Sequence, residues 1–157
     1  MSKTIISDTS CFIVLSKIGQ LGILQQLFGN VLTTPEIADE FGESLPDWVE
    51  IVAVNDKHKQ QLFEIQVDKG ESSAMALSLE LENPLLIIDD YKARRLAKTL
   101  HIDYTGTIGI IILAKHKGLI SSIKPVLDSI KETNFRISAE LELQALIEAK
   151  EINTPIG

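Results

Sequence analysis

The chain has 157 residues, 45% hydrophobic and 24% charged, with a formal net charge of −7 at pH 7. That length suits one ordinary domain, able to bury roughly two thirds of its unfolded surface unaided, and a lone cysteine, Cys11, excludes an intramolecular disulfide or a cysteine-rich zinc site. The excess of acid argues against broad, non-specific nucleic-acid binding while leaving room for a local basic patch.

The longest apolar run, Ile108 to Ala114, is too short to cross a bilayer, and the first ten residues lack the apolar stretch of a signal peptide. The expectation is a cytoplasmic protein with no membrane association. Short β-branched runs alternate with helical periodicity, the pattern of βα units around a mostly parallel sheet. Thr4 to Ser7 reads as a first strand, Asp8-Thr9-Ser10 as turn and cap, and the residues through Phe12 and Leu15 as a helix broken at Lys17 to Gln20. Leu21, Leu24 and Phe28 recur at helical spacing before Gly29-Asn30 supplies a stop. Val31 to Thr33 predicts a short strand, after which Thr34 as N-cap and Pro35 as first helical residue open a short helix to about Phe41. Past the Gly42 to Pro46 loop, Val49 to Val54 reads as strand and Lys57 to Val67 as helix, ended by Asp68-Lys69-Gly70.

A new helix is expected from Glu71, with Ala74, Leu77 and Leu81 on one face, until Asn83-Pro84 stops it. Leu85 to Ile88 is the clearest buried strand. Asp89-Asp90 follows, and Ala93, Leu96, Ala97 and Leu100 mark the inner face of the next helix. Ile102 to Thr105 reads as the last strand. Thr105-Gly106-Thr107 then opens a helix to Lys117 with Gly118 as stop, although periodicity alone fits Ile108 to Leu113 equally well as strand. Two amphipathic helices from about residue 123 complete a single domain over residues 1–157, with Ile123, Val126, Leu127 and Ile130 facing inward on one and Leu143, Leu146 and Ile147 on the other.

In open parallel sheets the ligand site lies beyond the carboxyl ends of the strands. Asp8 follows the first predicted strand, Asp89 and Asp90 follow the Leu85 to Ile88 strand, Glu71 opens a helix, and Glu40 ends the short helix after the second strand. Carboxylates converging from separate elements suit Mg²⁺ or Mn²⁺, which prefer oxygen ligands and can support phosphodiester hydrolysis. Singly, each acid has a plainer reading. Asp8 and Asp90 stand where N-caps belong, Glu71 complements a helix dipole, and Glu40 fits an ordinary solvated acid. The functional case rests on the set.

Asp8-Thr9-Ser10, Pro35 to Glu40, Gly70-Glu71-Ser72-Ser73-Ala74 and Leu85 to Arg94 resemble, in that order, the acidic motifs of the PIN-domain family. The likeness is closest to a PIN-like branch related to VapC-type toxin ribonucleases, with its Gly-Glu helix start, Asp-Asp pair and Thr-Gly-Thr turn, and it covers nearly the whole chain. The resemblance implies a three-layer α/β/α sandwich with a mostly parallel central sheet, and metal-dependent cleavage of RNA. It carries ligand and catalytic roles onto Asp8, Glu40, Glu71 and Asp90, with Asp89 the alternative fourth acid and Ser10 a hydrogen-bonding neighbour. Asp90 is favoured because the family's acid stands two residues after the last strand residue. Glu71 departs from the Asp common at the third position in VapC-type toxins. The resemblance also implies a homodimer and an antitoxin partner covering the acidic groove.

Lys92, Arg94, Arg95 and Lys98 lie off the apolar stripe of the helix after Asp90, which fits a phosphate-binding patch and a solvated helix face equally well. Thr105 and Thr107 flank a glycine at a helix start, where N–H groups and hydroxyls suit either a phosphate or a plain capped turn. His58, His101 and His116 show no metal-ligand spacing and read as surface residues, and Cys11 as a small buried one. No P-loop pattern is present. Two functions follow: a metal-dependent endoribonuclease acting as the toxin of a toxin–antitoxin pair, or a non-catalytic PIN-like module that binds a protein or nucleic acid.

Overall fold

In the computed structural model of the chain, which describes residues 2–153, five parallel strands lie in the order β3-β2-β1-β4-β5. They are β1 (Thr4–Ser7), β2 (Val31–Thr33), β3 (Val49–Ile51), β4 (Pro84–Ile87) and β5 (Asp103–Thr105). The helices are α1 (Thr9–Lys17), α2 (Gly22–Phe28), α3 (Pro35–Phe41), α4 (Lys57–Phe63), α5 (Lys69–Glu80), α6 (Tyr91–Thr99), α7 (Thr107–His116), α8 (Lys124–Lys131) and α9 (Ala139–Glu148). This is a three-layer α/β/α sandwich. Both faces of a parallel sheet are covered at its centre, so β1 and β4 carry apolar runs, and Ile5, Ile6, Leu86, Ile87 and Ile88 are all buried.

α5 lies across β4 and β1, and α6 packs on β5; α1 and α2 meet α7, which meets α9, while α3 bridges α1 and α5. α5 is unusual in being buried from Gly70 to Ser78 despite three serines. Its hydroxyls turn back onto the chain, Ser72 donating to Val67 O, Ser73 to Gly70 O and Ser78 to Ala74 O, so little polar demand is left exposed to the core. The small residues let the helix sit close to the sheet, and that brings Glu71 inside. Among the described residues no single helix is long and apolar enough to cross a membrane.

Several boundaries differ from the sequence reading. β3 stops at Ile51 because the amides of Asn55 and Asp56 turn away from the sheet edge to bond the Glu80 carboxylate, at 2.9–3.1 Å. α4 ends at Phe63, and the chain then turns so that Val67 is buried. Asp68 does not end that helix; it caps the next one, which begins two residues ahead of Glu71. Ile108 to Leu113 is helical. On α9 Ala145 and Leu146 face inward with Ala149 beyond its end, while Leu143 is exposed.

The strand order places the topological switch between β1 and β4: the chain leaves β1 outward through β2 and β3, then crosses back to β4 and β5. Asp8 N donates to Ile87 O and Ile88 N to Thr105 O, extending both ladders one step past the strands. The residues that follow β1, β4 and β5 therefore emerge side by side at one edge.

Candidate functional site

Asp8 opens α1 with extended backbone (φ −79°, ψ 170°), yet its carboxylate makes no capping hydrogen bond. It is 4% exposed, and its Oδ1 is buried without a hydrogen-bond partner. A buried acceptor left unsatisfied is costly, so a simple cap is a poor account of this residue. Burial pushes its pKa up to about 7, and the charges of Asp68, Glu40 and Asp89 add to the rise against the opposing pull of the Thr9 amide.

Glu71 is the second buried acid. It forms a capping box with Asp68: Glu71 N donates to Asp68 Oδ1 at 2.8 Å, and Asp68 N to Glu71 Oε1 at 3.2 Å. Burial is the main cause of its pKa rising to about 8, with Asp68, Asp8 and Asp90 contributing repulsion. The box fixes one Glu71 oxygen and leaves Oε2 for another partner. α5 itself is held to α3 by a hydroxyl chain in which Ile37 N donates to Thr34 Oγ1, which stands 2.6 Å from Ser73 Oγ. Since Ser73 donates to Gly70 O, Thr34 must be the donor to Ser73.

Glu40 is exposed near the end of α3, but its side chain leans over the start of α5: a Cβ on Gly70 would stand 3.1 Å from Glu40 Oε2 and 3.6 Å from Asp68 Oδ1. The glycine of the Gly70-Glu71 motif thus supplies space rather than an unusual backbone angle. Asp90 is exposed and caps α6 through Ala93 N at 3.1 Å, using one oxygen. Asp89 turns the other way. It accepts from Thr107 N at 2.9 Å and Thr107 Oγ1 at 2.6 Å, tying β4 to the start of α7, with Arg94 Nη2 3.8 Å from Oδ1.

Glu40 and Asp89 are thus brought within electrostatic range of Asp8, and Asp8 and Asp90 within range of Glu71. Asp68 joins them, though the sequence reading assigned it to a helix end. Its signal was present as Asp68-x-x-Glu71, the spacing of a capping box. Among the described residues, no three His, Cys, Asp or Glu side chains already stand arranged to hold an ion. The donor set nonetheless fits a hard divalent cation: an orphaned buried carboxylate oxygen and a second carboxyl with one free oxygen, both made hard to ionise by burial first and by neighbouring acids second.

The four basic residues of α6 do not share one face. Arg94 folds back, its Nε donating to Ile88 O at 2.9 Å and its guanidinium lying 5.6 Å from the centroid of Tyr104. Lys92 and Arg95 line a groove with Ile65 and Gln66, and Lys98 joins Lys3 and His101 beside β5's start. Ser10 is half-buried in the first turn of α1. The Thr105 hydroxyl lies against Gly109, and Thr107 is buried on Asp89 rather than offered to a ligand. His58, His101 and His116 are exposed. Cys11 is buried, and burial pushes its thiol up to about 12, which leaves it inert as a nucleophile.

No curated protein matches the chain. The profile of the DUF3368 family, described as a PIN domain, matches residues 4–151, a span that takes in every strand and every acid of the cluster. On that match, the parallel α/β/α sheet and the acid-lined switch point, the chain belongs to the PIN-domain family.

Proposed function

We propose that this PIN domain is a Mg²⁺- or Mn²⁺-dependent endoribonuclease, with Asp8, Glu40, Glu71 and Asp90 holding the ion. The PIN fold is commonly that of a nuclease, which gives the reading its reaction class. The observation that carries it is Asp8: a carboxylate at the switch point, 4% exposed, with an unpartnered oxygen amid like charges. A divalent cation bound there supplies charge stabilisation for the oxygens of a phosphodiester undergoing hydrolysis. The chain's own residues prepare the site. Asp68 fixes the Glu71 rotamer, and the Thr34–Ser73 link sets α5 against α3.

Asp89 belongs to the frame, because both its oxygens are engaged by Thr107. In this reading the protein is cytoplasmic and the toxin of a toxin–antitoxin pair, a homodimer whose antitoxin covers the acidic groove. Support comes from the exposed ring of Tyr91, the residue after Asp90, at 73%. A second reading, a non-catalytic module for protein or nucleic acid, draws on the capping use of Glu71 and Asp90.

The test is cleavage of a panel of structured RNAs by the purified protein with Mg²⁺, Mn²⁺ or chelator. Cleavage in single-stranded or loop regions is expected only with metal, and Asp8→Asn or Glu71→Gln should lower its rate by about a hundredfold or more. Survival of every RNA with both metals, or an unimpaired Asp8→Asn, Glu71→Gln double variant, rejects the catalytic assignment.

A further inference from the structure

Beside the acidic site, on the β5 side of Asp89, a cleft of about 510 Å³ opens between the Thr105–Thr107 turn, the segment after α8 and α9. That volume lies in the range of small-ligand sites. The chain has three arginines, and two of them, Arg94 and Arg136, line this one cleft. Arg94 is anchored by Ile88 O and the Tyr104 ring, with its guanidinium partly open to solvent. Arg136 is exposed and forms no ion pair among the described residues. The segment carrying Arg136 is shaped by a local hydroxyl turn: Thr133 Oγ1 donates to Ile130 O and accepts from Phe135 N at 3.1 Å. Phe135 is thereby packed half-buried in the cleft wall. Gly106 keeps the floor open, since a Cβ there would overlap the Arg94 guanidinium.

We propose that this cleft is the subsite for the nucleotide adjoining the scissile phosphate of a single-stranded RNA, with Arg136 and Arg94 on its phosphate and Phe135 against its base. The proposal rests on the ribonuclease reading above and adds the path of the strand along the carboxyl edge of the sheet, from β1 past Asp89 to α9. Guanidinium groups fit phosphate oxygens as planar forks, and an aromatic face accepts any base, so binding here is strong but tolerant of sequence. Of the two acids lining the cleft, Asp89 has both oxygens turned onto Thr107 and its charge offset by Arg94, and Glu148 lies on the α9 wall, away from the active site.

A fluorescein-labelled oligouridylate is the probe, titrated by anisotropy across a salt series and used as cleavage substrate with Mn²⁺. Arg136→Gln should bind it about tenfold more weakly, lower the slope of log K against log salt by about 0.7, and raise KM with kcat nearly kept. Phe135→Leu, which keeps an apolar side chain in the wall, should weaken binding without changing the slope. Lys117→Gln, at the far end of α7, should match the parent, and Asp8→Asn should lose cleavage while still binding the probe. If the parent cleaves and Arg136→Gln matches it in Kd, slope and KM, the cleft assignment is wrong and the ribonuclease reading stands. A parent that neither binds nor cleaves the probe sinks both. Loss of a co-purifying protein by Arg136→Gln with unchanged probe affinity overturns the RNA assignment in favour of a protein occupant.

Discussion

Glu151 and Asp8 are both secluded carboxylates, and their surroundings treat them in opposite ways. Glu151, whose side chain is 12% exposed, accepts from Lys115 Nζ at 2.9 Å, Ser122 Oγ at 2.8 Å, Ile123 N at 2.5 Å and Lys124 N at 3.3 Å. Burial alone would raise its pKa, but these donors, led by the Ile123 amide, hold it down at about 2. Asp8 is more deeply buried, has an oxygen with no donor, and faces Asp68, Glu40 and Asp89. The first arrangement is a staple that closes the C-terminal segment onto α7 and the start of α8. The second costs stability in isolation, a cost that the proposed cation would offset.

Removing each acid should therefore act with opposite sign. Glu151→Ala leaves Lys115 and two amides without their acceptor and should cost about 3 kcal/mol at pH 7 in urea unfolding. Asp8→Asn, measured with chelator, should be neutral or stabilising. Equal losses in the two variants would break the distinction between staple and site.

Cation binding sharpens it next. At 100 times its dissociation constant, Mn²⁺ should stabilise the parent by about 2.7 kcal/mol, and Glu151→Ala by the same increment. Asp8→Asn should gain nothing. A melting series with and without metal reads all three, and an equal shift in Asp8→Asn would remove that residue from the site.

The pH dependence separates the two regions in the chelated protein. Asp8 and Glu71 have folded pKa values of about 7 and about 8 against model values of 3.8 and 4.5, so the folded state holds protons that the unfolded state releases. Their contribution is fully present below the unfolded values and is lost progressively as pH rises from there to the folded values of about 7 and about 8. Glu151 runs the other way: its contribution is present above 4.5 and is lost as pH falls towards 2. Urea midpoints followed from acid to alkaline pH should show Asp8→Asn flattening the fall between 3.8 and about 7, and Glu151→Gln flattening the loss below 4.5. Interchanged effects would contradict both assignments.

The smallest expected effect concerns Gly70. Ala there gains helix propensity of up to about 1 kcal/mol, set against a Cβ pressed on the Glu40 carboxylate. Stability of Gly70→Ala should stay near the parent's while Mn²⁺ affinity falls severalfold. Unchanged affinity would show that Glu40 has no need of its place over α5.

Much of the fold is written in local chemistry. Thr34 followed by Pro35 predicts the start of α3 because cap and fixed φ act within three residues, and Thr34 does accept from Ile37 N. Gly118 lies just past α7 with φ +76°, as a helix stop requires. The apolar runs at Ile5-Ile6 and Leu86 to Ile88 give the buried centre of the sheet, and Asp8, Asp89 and Asp90 follow strands by position alone. Asp68 was legible too, but the helical periodicity before it drew the boundary too late. What only the tertiary structure decided is how each acid is used. Asp89 is engaged by Thr107, eighteen residues on, while Asp8 Oδ1 is left without a donor. The basic residues of α6 part company because one of them, Arg94, finds Ile88 O and Tyr104, and Arg136 reaches the same cleft from beyond α8. Caps and turns depend on neighbours within a turn of chain, so sequence determines them; desolvation and charge coupling sum over residues brought together from the whole fold, so only the folded chain does.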